Sequence, residues 1–247
     1  MKFTILRFDS LDSTNAEALN QARRGANQGL CIVAREQRAG RGRHGRNWIS
    51  EKDAGLYFSL ILRPTLENKF LPLITLMTAV AVVDVLTELY KLKPDIKWAN
   101  DVHVGEKKIA GILAEMTDTK TGLAIVVGIG INLKSTNFPP ELKDSATSVE
   151  AETGQLPNVE NLLKSLTEKL SDYYLILQSA DGAAQIRHEW ARRSTYFEGR
   201  RVVVKLANES FEGTTCGIED NGALRVETAE REVKIVQAGD VEKLRKI

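Results

Sequence analysis

The chain has 247 residues, of which 43% are hydrophobic and 27% charged, and its formal net charge at pH 7 is +1. This length and composition fit one large folded domain, or a large and a small one, and argue against general disorder. The nearly neutral charge balance argues against a protein devoted to binding nucleic acid or a membrane surface.

The cysteines, histidines and apolar stretches of the chain further limit the kinds of protein it could be. Cys31 lies in an apolar run far from Cys216, so we expect two reduced thiols in a cytoplasmic protein. The three histidines are not at metal-ligand spacing, which argues against a histidine-based metal site. The N-terminus lacks a signal-peptide pattern, and Asp84 interrupts the apolar stretch from Leu71 to Leu86. That stretch is also short for a membrane span, so it predicts a buried core helix.

The first part of the chain alternates strands and helices. Thr14 and Glu17 have capping-box spacing and predict the start of an amphipathic helix that Gly25 ends. A long apolar helix is predicted up to about Lys91, before Pro94. Strands are predicted over residues 3–8, 30–35 and 55–62.

From residue 96 to 131 the chain has the pattern of short strands joined by tight turns, so hairpins outnumber crossovers. This predicts an α+β fold, with a mixed, mainly antiparallel sheet and helices on one side of it. Two helices are predicted near residues 158–178 and 183–193. Residues 199–247 alternate β-branched and polar residues, which predicts a small β-barrel domain after a larger domain of residues 1–198.

The most unusual segment is the glycine- and arginine-rich loop Gly40–Trp48. Glycine lets a ligand approach the backbone, and arginine supplies a planar set of donors for phosphate or carboxylate oxygens. The loop is therefore expected to hold an anion. Its three glycines also spell G-x-G-x-x-G, but no helical pattern follows residue 47, so a dinucleotide-binding Rossmann site is not predicted.

Other polar clusters lie at predicted strand ends or loops, where a rigid sheet can aim them. Each has an ordinary structural explanation when taken singly, such as a helix cap, a turn or close packing at a strand glycine. The clusters are Ser13–Asn15, Gln37 beside the loop, Lys97–Asp101 with Lys108–Leu113, and Gly128–Asn132.

Together, the Gly40–Trp48 loop and the Lys97–Asp101 segment resemble the biotin protein ligases, also called biotin–[acetyl-CoA-carboxylase] ligases. The resemblance runs from about Leu11 to the C-terminus and includes Ala146–Ser148 and Gly217–Gly222. It implies a class II synthetase-like biotin/lipoate ligase core and an SH3-like C-terminal barrel. It also implies ATP, biotin and Mg²⁺ as reactants, biotinyl-5′-AMP as intermediate, and the biotin carboxyl carrier domain of a carboxylase as partner.

The resemblance assigns site residues to this sequence, but no metal ligands. Its catalytic residues are Lys108, Arg43 and Asp101. Its biotin-binding residues are Ser13, Thr14, Asn15, Gln37, Gly40, Arg41, Gly42, Arg43, Trp48, Lys108, Gly111 and Gly128. Its nucleotide-binding residues are Arg41, Arg43, Arg46, Trp48, Asn100, Lys108 and Asn132.

The chemistry fits these residue types. Attack of a carboxylate on the α-phosphate brings two anions together, so the loop arginines and Lys108 are expected to offset their repulsion. Asp101 is expected to orient the acceptor amine or take its proton, while a structural aspartate in a turn stays an alternative. Gly111 and Gly128 are expected to let backbone approach the ligand.

Two other functions stay open. Lipoate or octanoate protein ligases and transferases are similar in the core, but a fatty chain would leave Ser13, Thr14 and Gln37 without partners. A non-enzymatic nucleic-acid module is disfavoured by the low net charge.

The cluster at residue 13 leaves no room for a preceding helix-turn-helix, so a short monofunctional form without specific DNA binding is expected. A homodimer is an open possibility.

Overall fold

The larger part of the fold is a seven-stranded sheet. A computed structural model describes residues 1–135, 138–206, 209–237 and 240–243. The strands of this sheet are β1 (Thr4–Phe8), β2 (Leu30–Ala34), β3 (Gly55–Leu62), β4 (Pro94–Lys97), β5 (Asp101–Val104), β6 (Lys107–Thr119) and β7 (Gly122–Asn132). Their order is β1-β2-β3-β7-β6-β5-β4, with β1 and β2 parallel and the other neighbouring pairs antiparallel. The predicted α+β class with a mixed, mainly antiparallel sheet is therefore confirmed.

The helices of the described chain cover both faces of this sheet, not one side as predicted. They are α1 (Thr14–Arg23), α2 (Leu73–Tyr90), the short α3 (Val149–Thr153), α4 (Val159–Leu177) and α5 (Gly182–Ala191). Ala18 and Ala22 of α1 pack with Ile61 and Val126 on one face, whereas α2, α4 and α5 belong to the core on the other. Every residue of β3 is buried, and such a continuous apolar strand is typical of a sheet covered on both faces.

The cap of α1 differs by one residue from the prediction. Ser13 is the N-cap, and its Oγ accepts a hydrogen bond from the N–H of Ala16 at 3.4 Å. The hydroxyl of Thr14 donates instead to Oε1 of Gln37, 3.1 Å away. A capping box with Glu17 therefore does not form, because Thr14 already has a partner 23 residues away in the chain.

Helix α2 is the predicted core helix. Residues Asn68–Tyr90 are long and apolar enough to cross a membrane, but 72% of their most apolar window is buried inside the protein. The charge of Asp84, which is mostly but not fully buried, has hydrogen-bond partners nearby. Its carboxylate accepts hydrogen bonds from Arg193 Nε at 2.6 Å and from the Tyr173 hydroxyl at 2.6 Å. Asp84 thus ties α2 to α4 and to the end of α5.

The chain ends in a second, antiparallel sheet ordered β11-β10-β9-β8-β12. Its strands are β8 (Glu198–Lys205), β9 (Ser210–Ile218), β10 (Leu224–Glu227), β11 (Val233–Val236) and β12 (Asp240–Lys243). This is the predicted small SH3-like unit. Its β9–β10 turn docks on the main sheet, where Trp98 Nε1 donates to the carbonyl of Gly222 at 2.9 Å. Gly222 has φ +85, and a Cβ there would lie 2.8 Å from Leu76 Cδ1, so a side chain would push the two units apart.

We expect Asp84→Ala to lower the free energy of unfolding by about 2–4 kcal/mol, because it leaves the mostly buried Tyr173 hydroxyl without its acceptor and Arg193 with Glu189 as its remaining carboxylate partner. Urea denaturation measures this. Glu88→Ala, on the same helix, is the matched control: the Glu88 side chain is 56% exposed, so the loss of its pair with Lys169 is expected to cost less than about 1 kcal/mol. Equal losses of unfolding free energy in the two variants would show that Asp84 does not tie α2 to α4 and α5.

Candidate functional site

A cavity of about 260 Å³ lies between the N-terminal end of α1, the Gly40–Trp48 loop and strands β6 and β7. The size is near the lower limit of roughly 300 Å³ that is usual for small-molecule sites. With the exception of Gly40, the predicted site residues all line it. These are Ser13, Thr14, Asn15, Gln37, Arg41, Gly42, Arg43, Arg46, Trp48, Asn100, Asp101, Lys108, Gly111, Gly128 and Asn132.

The Gly40–Trp48 loop is pinched into a small hairpin. Trp48 N donates to Gly40 O at 2.9 Å, and Gly42 N donates to Arg46 O at 2.7 Å. Gly40 stands behind the cavity, where a Cβ would come within 2.3 Å of Trp48 O, so it allows the loop to fold back on itself. A single 3₁₀ turn, Arg43–Gly45, lies inside the loop, and residues 46–54 are not helical. The G-x-G-x-x-G spelling is therefore not a Rossmann fingerprint.

Three glycines leave a bare patch of backbone on β6 and β7. Gly111 and Gly130 are directly opposite each other, and the indole of Trp48 lies over both. A Cβ on Gly130 would lie 2.4 Å from Trp48 Cε2, and one on Gly128 would lie 2.2 Å from Asn15 Oδ1. Gly111 and Gly128 both line the cavity, and the side chains of Trp48 and Asn15 lie close over them. That these glycines let backbone approach a ligand stays a prediction. The glycines shape the cavity by seating Trp48 and Asn15.

Hydrogen bonds organise one end of the cavity. Oε1 of Gln37 accepts from Thr14 N at 2.8 Å and Thr14 Oγ1 at 3.1 Å, and its Nε2 donates to Ser50 Oγ at 2.8 Å. The fully buried Ser59 donates to Asn15 Oδ1 at 2.6 Å and lies 2.8 Å from Thr14 Oγ1. The Ser13 hydroxyl accepts one bond and still carries its own proton. This end therefore presents fixed donors and acceptors to a polar group.

Asn15 is bound on every side. Its Nδ2 donates to Leu113 O at 3.1 Å and to Glu115 Oε2 at 2.8 Å, while its Oδ1 accepts from Ser59. Both amide hydrogens are thus used within the protein. The side chain anchors the start of α1 to β6 and β3.

The other end of the cavity is cationic. Lys108 Nζ lies 2.7 Å from Asp101 Oδ1 and 5.3 Å from the centroid of the Trp48 ring. Nη1 of Arg43 donates to Asn100 Oδ1 at 2.6 Å, and Asn100 Nδ2 donates to the carbonyl of Ile112 at 2.9 Å. The three predicted catalytic residues therefore meet at one place. Lys108 on β6 and Asp101 on β5 hold each other, and Asn100, just before β5, holds Arg43.

Two further groups border this end. Asn132 Nδ2 donates to Thr147 O at 3.0 Å, and Thr147 N donates to Lys108 O at 2.9 Å, so the predicted Ala146–Ser148 segment runs beside β6. His103 is the β-ladder partner of Lys108. Burial lowers the pKa of His103 below its usual value, so its ring adds no positive charge beside Lys108 at neutral pH.

Several residues of the site were not predicted. Glu115 holds both Asn15 and Arg41, and Ser59 holds the start of α1. Gly130 was singled out only within the Gly128–Asn132 cluster, and the structure shows that it seats Trp48. One signal was available: Ser59 is a lone hydroxyl in an apolar strand, and a buried hydroxyl needs a partner. Apolar residues complete the lining, namely Ile49, Phe58, Ile112, Leu113, Ile129, Phe138 and Leu142.

Comparisons with known proteins agree with this geometry. Residues 7–132 match the model of the "Biotin/lipoate A/B protein ligase family", and residues 198–244 match the "Biotin protein ligase C terminal domain". The chain is 35% identical over 220 residues to a biotin–[acetyl-CoA-carboxylase] ligase of Paracoccus denitrificans, covering 86% of this chain and 90% of that protein. It is 34% identical over 245 residues to the bifunctional ligase/repressor BirA of Bacillus subtilis, covering 96% of this chain and 73% of that protein.

Solved structures show a similar architecture. The biotin protein ligase of Aquifex aeolicus in complex with biotin and ATP superimposes with a TM-score of 0.84 at 28% identity. The similarity covers 100% of both chains. The two sheets of the present structure thus belong together as one architecture.

We expect Gly130→Val to lower stability by about 1–3 kcal/mol, because the new side chain collides with the indole of Trp48. Thermal denaturation of Gly130→Val, Trp48→Ala and the double variant forms a complete cycle. With Trp48 removed, Gly130→Val should cost less than half as much. Additive losses would show that Gly130 is needed for a reason other than seating Trp48.

Proposed function

Because this chain belongs to the biotin protein ligases of the biotin/lipoate A/B protein ligase family, we propose that it activates biotin with ATP to biotinyl-5′-AMP and transfers biotin to a protein lysine. The observation that carries the proposal is one cavity with a hydrogen-bonding end at α1 and a cationic end at Lys108. A small acid with a polar head needs both ends, the first for recognition and the second for activation.

The polar end suits the ureido head of biotin. That head has one carbonyl and two N–H groups, and each would cost about 1–3 kcal/mol if buried without a partner. Ser13 offers a hydroxyl proton, and the Gln37 carboxamide is fixed by Thr14 and Ser50. These groups support biotin over a fatty acid, because a fatty chain has no acceptor for the Ser13 hydroxyl hydrogen or for the second amide hydrogen of Gln37. Trp48 and the apolar lining would cover the rest of the ligand.

The cationic end suits adenylation. A biotin carboxylate oxygen attacks the α-phosphate, the new oxygen–phosphorus bond forms, and pyrophosphate leaves. We assign Lys108 and Arg43 to the place where negative charge builds up; Asp101 and Asn100 hold these two side chains, so they would already be oriented when the reaction begins. We assign Arg41 and Arg46 to the phosphates, and Asn100 and Asn132 to the remainder of the nucleotide.

Magnesium is proposed as the metal that accompanies ATP. The described residues contain no group of three or more His, Cys, Asp or Glu side chains that could hold a metal ion. Asp101 and Glu115 are paired with Lys108 and Arg41. Mg²⁺ usually keeps several waters and binds substrate phosphates, so the phosphates of ATP are its expected ligands here.

Transfer needs a neutral amine and a retained intermediate. The acceptor lysine attacks the acyl carbon, AMP leaves with the bonding electron pair, and the amine loses a proton. We assign orientation of the amine to Asp101, whose carboxylate is 24% exposed and beside Lys108. We assign retention of the adenylate to Arg43, whose guanidinium lies against Asn100 at the edge of the cavity. Asp101 can orient the amine and also fix Lys108, because a carboxylate has two oxygens that accept hydrogen bonds.

The wider setting follows from the same proposal. We propose residues 1–198 as the catalytic domain and 199–247 as the SH3-like domain. The partner is the biotin carboxyl carrier domain of a carboxylase, in the cytoplasm. Specific DNA binding is not expected at a net charge of +1, and a homodimer stays a possibility.

We expect biotin, and not octanoate or lipoate, to drive ATP-dependent release of pyrophosphate. The physical reason is the polar end at Ser13, Thr14 and Gln37, where a fatty chain has no acceptor for the Ser13 hydroxyl hydrogen. Pyrophosphate release with Mg²⁺, ATP and each acid in parallel measures the preference. Equal or faster turnover with octanoate would move the chain to the lipoate branch of the family.

We expect Lys108→Ala to slow adenylation about 10²–10³-fold, because it removes a fixed cation from the transition state. Single-turnover pyrophosphate release measures the step. Lys107→Ala is the matched control, since the adjacent Lys107 points to the carbonyl of Lys143 outside the cavity lining. The Lys107 variant should keep the parent rate. A Lys108 variant within threefold of the parent would exclude this role.

A further inference from the structure

We propose that Glu115 is a positioning residue that holds the Gly40–Trp48 loop over the cavity by bridging Arg41 to Asn15. The link between this loop and the nucleotide rests on the function proposed above. The contacts of Glu115 with Arg41 and Asn15 do not depend on any ligand. The bridge is a single carboxylate oxygen, and it connects the start of α1 with the loop.

The contacts of Glu115 carry this inference. Its Oε2 accepts from Asn15 Nδ2 at 2.8 Å and from Arg41 Nη2 at 2.8 Å. The side chains of Glu115 and Arg41 are 27% and 42% exposed, so water only partly screens the pair. Bonds from a cation and an amide to one ionised oxygen are of the stronger, charge-assisted type. Glu115 therefore fixes two segments at once.

The position of Glu115 on β6 explains why it can act as an anchor. Glu115 pairs with Val126 in the β6–β7 hairpin, and side chains alternate along a strand. Glu115 therefore lies on the same face as Leu113 and Gly111, the face that Asn15 and Trp48 cover. The Glu115 carboxylate belongs to the long β6–β7 hairpin, whereas Arg41 belongs to a loop with an exposed tip at residues 44–47. A residue of the sheet thus holds a residue of a surface loop, and loops are usually less rigid than the strands they connect.

The negative charge of Glu115 also has an electrostatic effect on the arginines of the loop. Arg41, Arg43 and Arg46 lie within six residues of one another, and His44 lies between them. Their repulsion opposes a compact loop until an anion is bound. The carboxylate of Glu115, which lines the same cleft as the three arginines, offsets this repulsion without a ligand. It keeps the loop closed in the form that accepts phosphate.

The bridge also connects the two substrate ends. Asn15 is the neighbour of Thr14 at the polar end, and Arg41 belongs to the loop assigned to the phosphates. Loss of the Glu115 charge should release Arg41 while the polar end stays bound to Gln37 and Ser59. The defect should therefore appear in ATP use and not in biotin binding.

The ligand-free test is limited proteolysis with trypsin. We expect Glu115→Gln to speed cleavage after Arg41, Arg43 and Arg46 at least tenfold, with Tm within about 2 °C of the parent. Asp118→Asn is the matched control, because it removes the same charge from an exposed position of the same strand. Equal cleavage rates in the two variants would overturn the proposal, and so would a Tm loss that accounts for the faster cleavage.

The kinetic test separates Glu115 from a general structural role. We expect Glu115→Gln to raise KM for ATP about tenfold, with kcat and the Kd for biotin within threefold of the parent. In an Arg41→Ala background the same substitution should change KM less than twofold, because its target is gone. A full effect in that background, or a change confined to biotin affinity, would overturn the proposal. Failure of the parent itself with ATP and biotin would refute the proposed function, while the trypsin result would still decide on the bridge.

Discussion

The bare backbone at Gly111, Gly128 and Gly130 is the constraint on which the site depends. Elsewhere in the described sheet, helices cover both faces with apolar side chains. At these glycines the hairpin offers only main chain, and Trp48 and Asn15 lie in the space that side chains would take. Trp48 in turn lies beside the ammonium group of Lys108, and Asn15 fixes the start of α1. The cavity is what remains between these parts.

The cations of the site are oriented before any ligand binds. Lys108 pairs with Asp101, Arg41 with Glu115, and Arg43 with the carbonyl oxygen of the Asn100 side chain. Each partner lies at or near β5 and β6, so sheet geometry sets the directions of the charges. An anionic substrate then meets donors that need little reorganisation, which is the condition for strong stabilisation of a transition state. The same pairs keep a loop with three arginines compact.

The C-terminal sheet is coupled to this arrangement through one short segment. Trp98 donates to Gly222 in the β9–β10 turn, and Asn100 and Asp101 come two and three residues after Trp98 in the chain. Gly222 also packs against α2 at Leu76. A displacement of the small sheet would therefore be passed to the residues that hold Arg43 and Lys108.

The sequence by itself determined the local elements and the motif residues. Apolar runs and turn residues predicted β3, α2 and the hairpins, and the Gly40–Trp48 and Lys97–Asp101 motifs named most of the cavity lining. Tertiary structure alone decided which face α1 covers, that Ser13 and not Thr14 caps it, and that Glu115 belongs to the site. Periodic patterns report on neighbours a few residues apart, whereas Asn15 and Glu115 are separated by 100 residues. Only the packing of α1 against β6 brings such groups into contact.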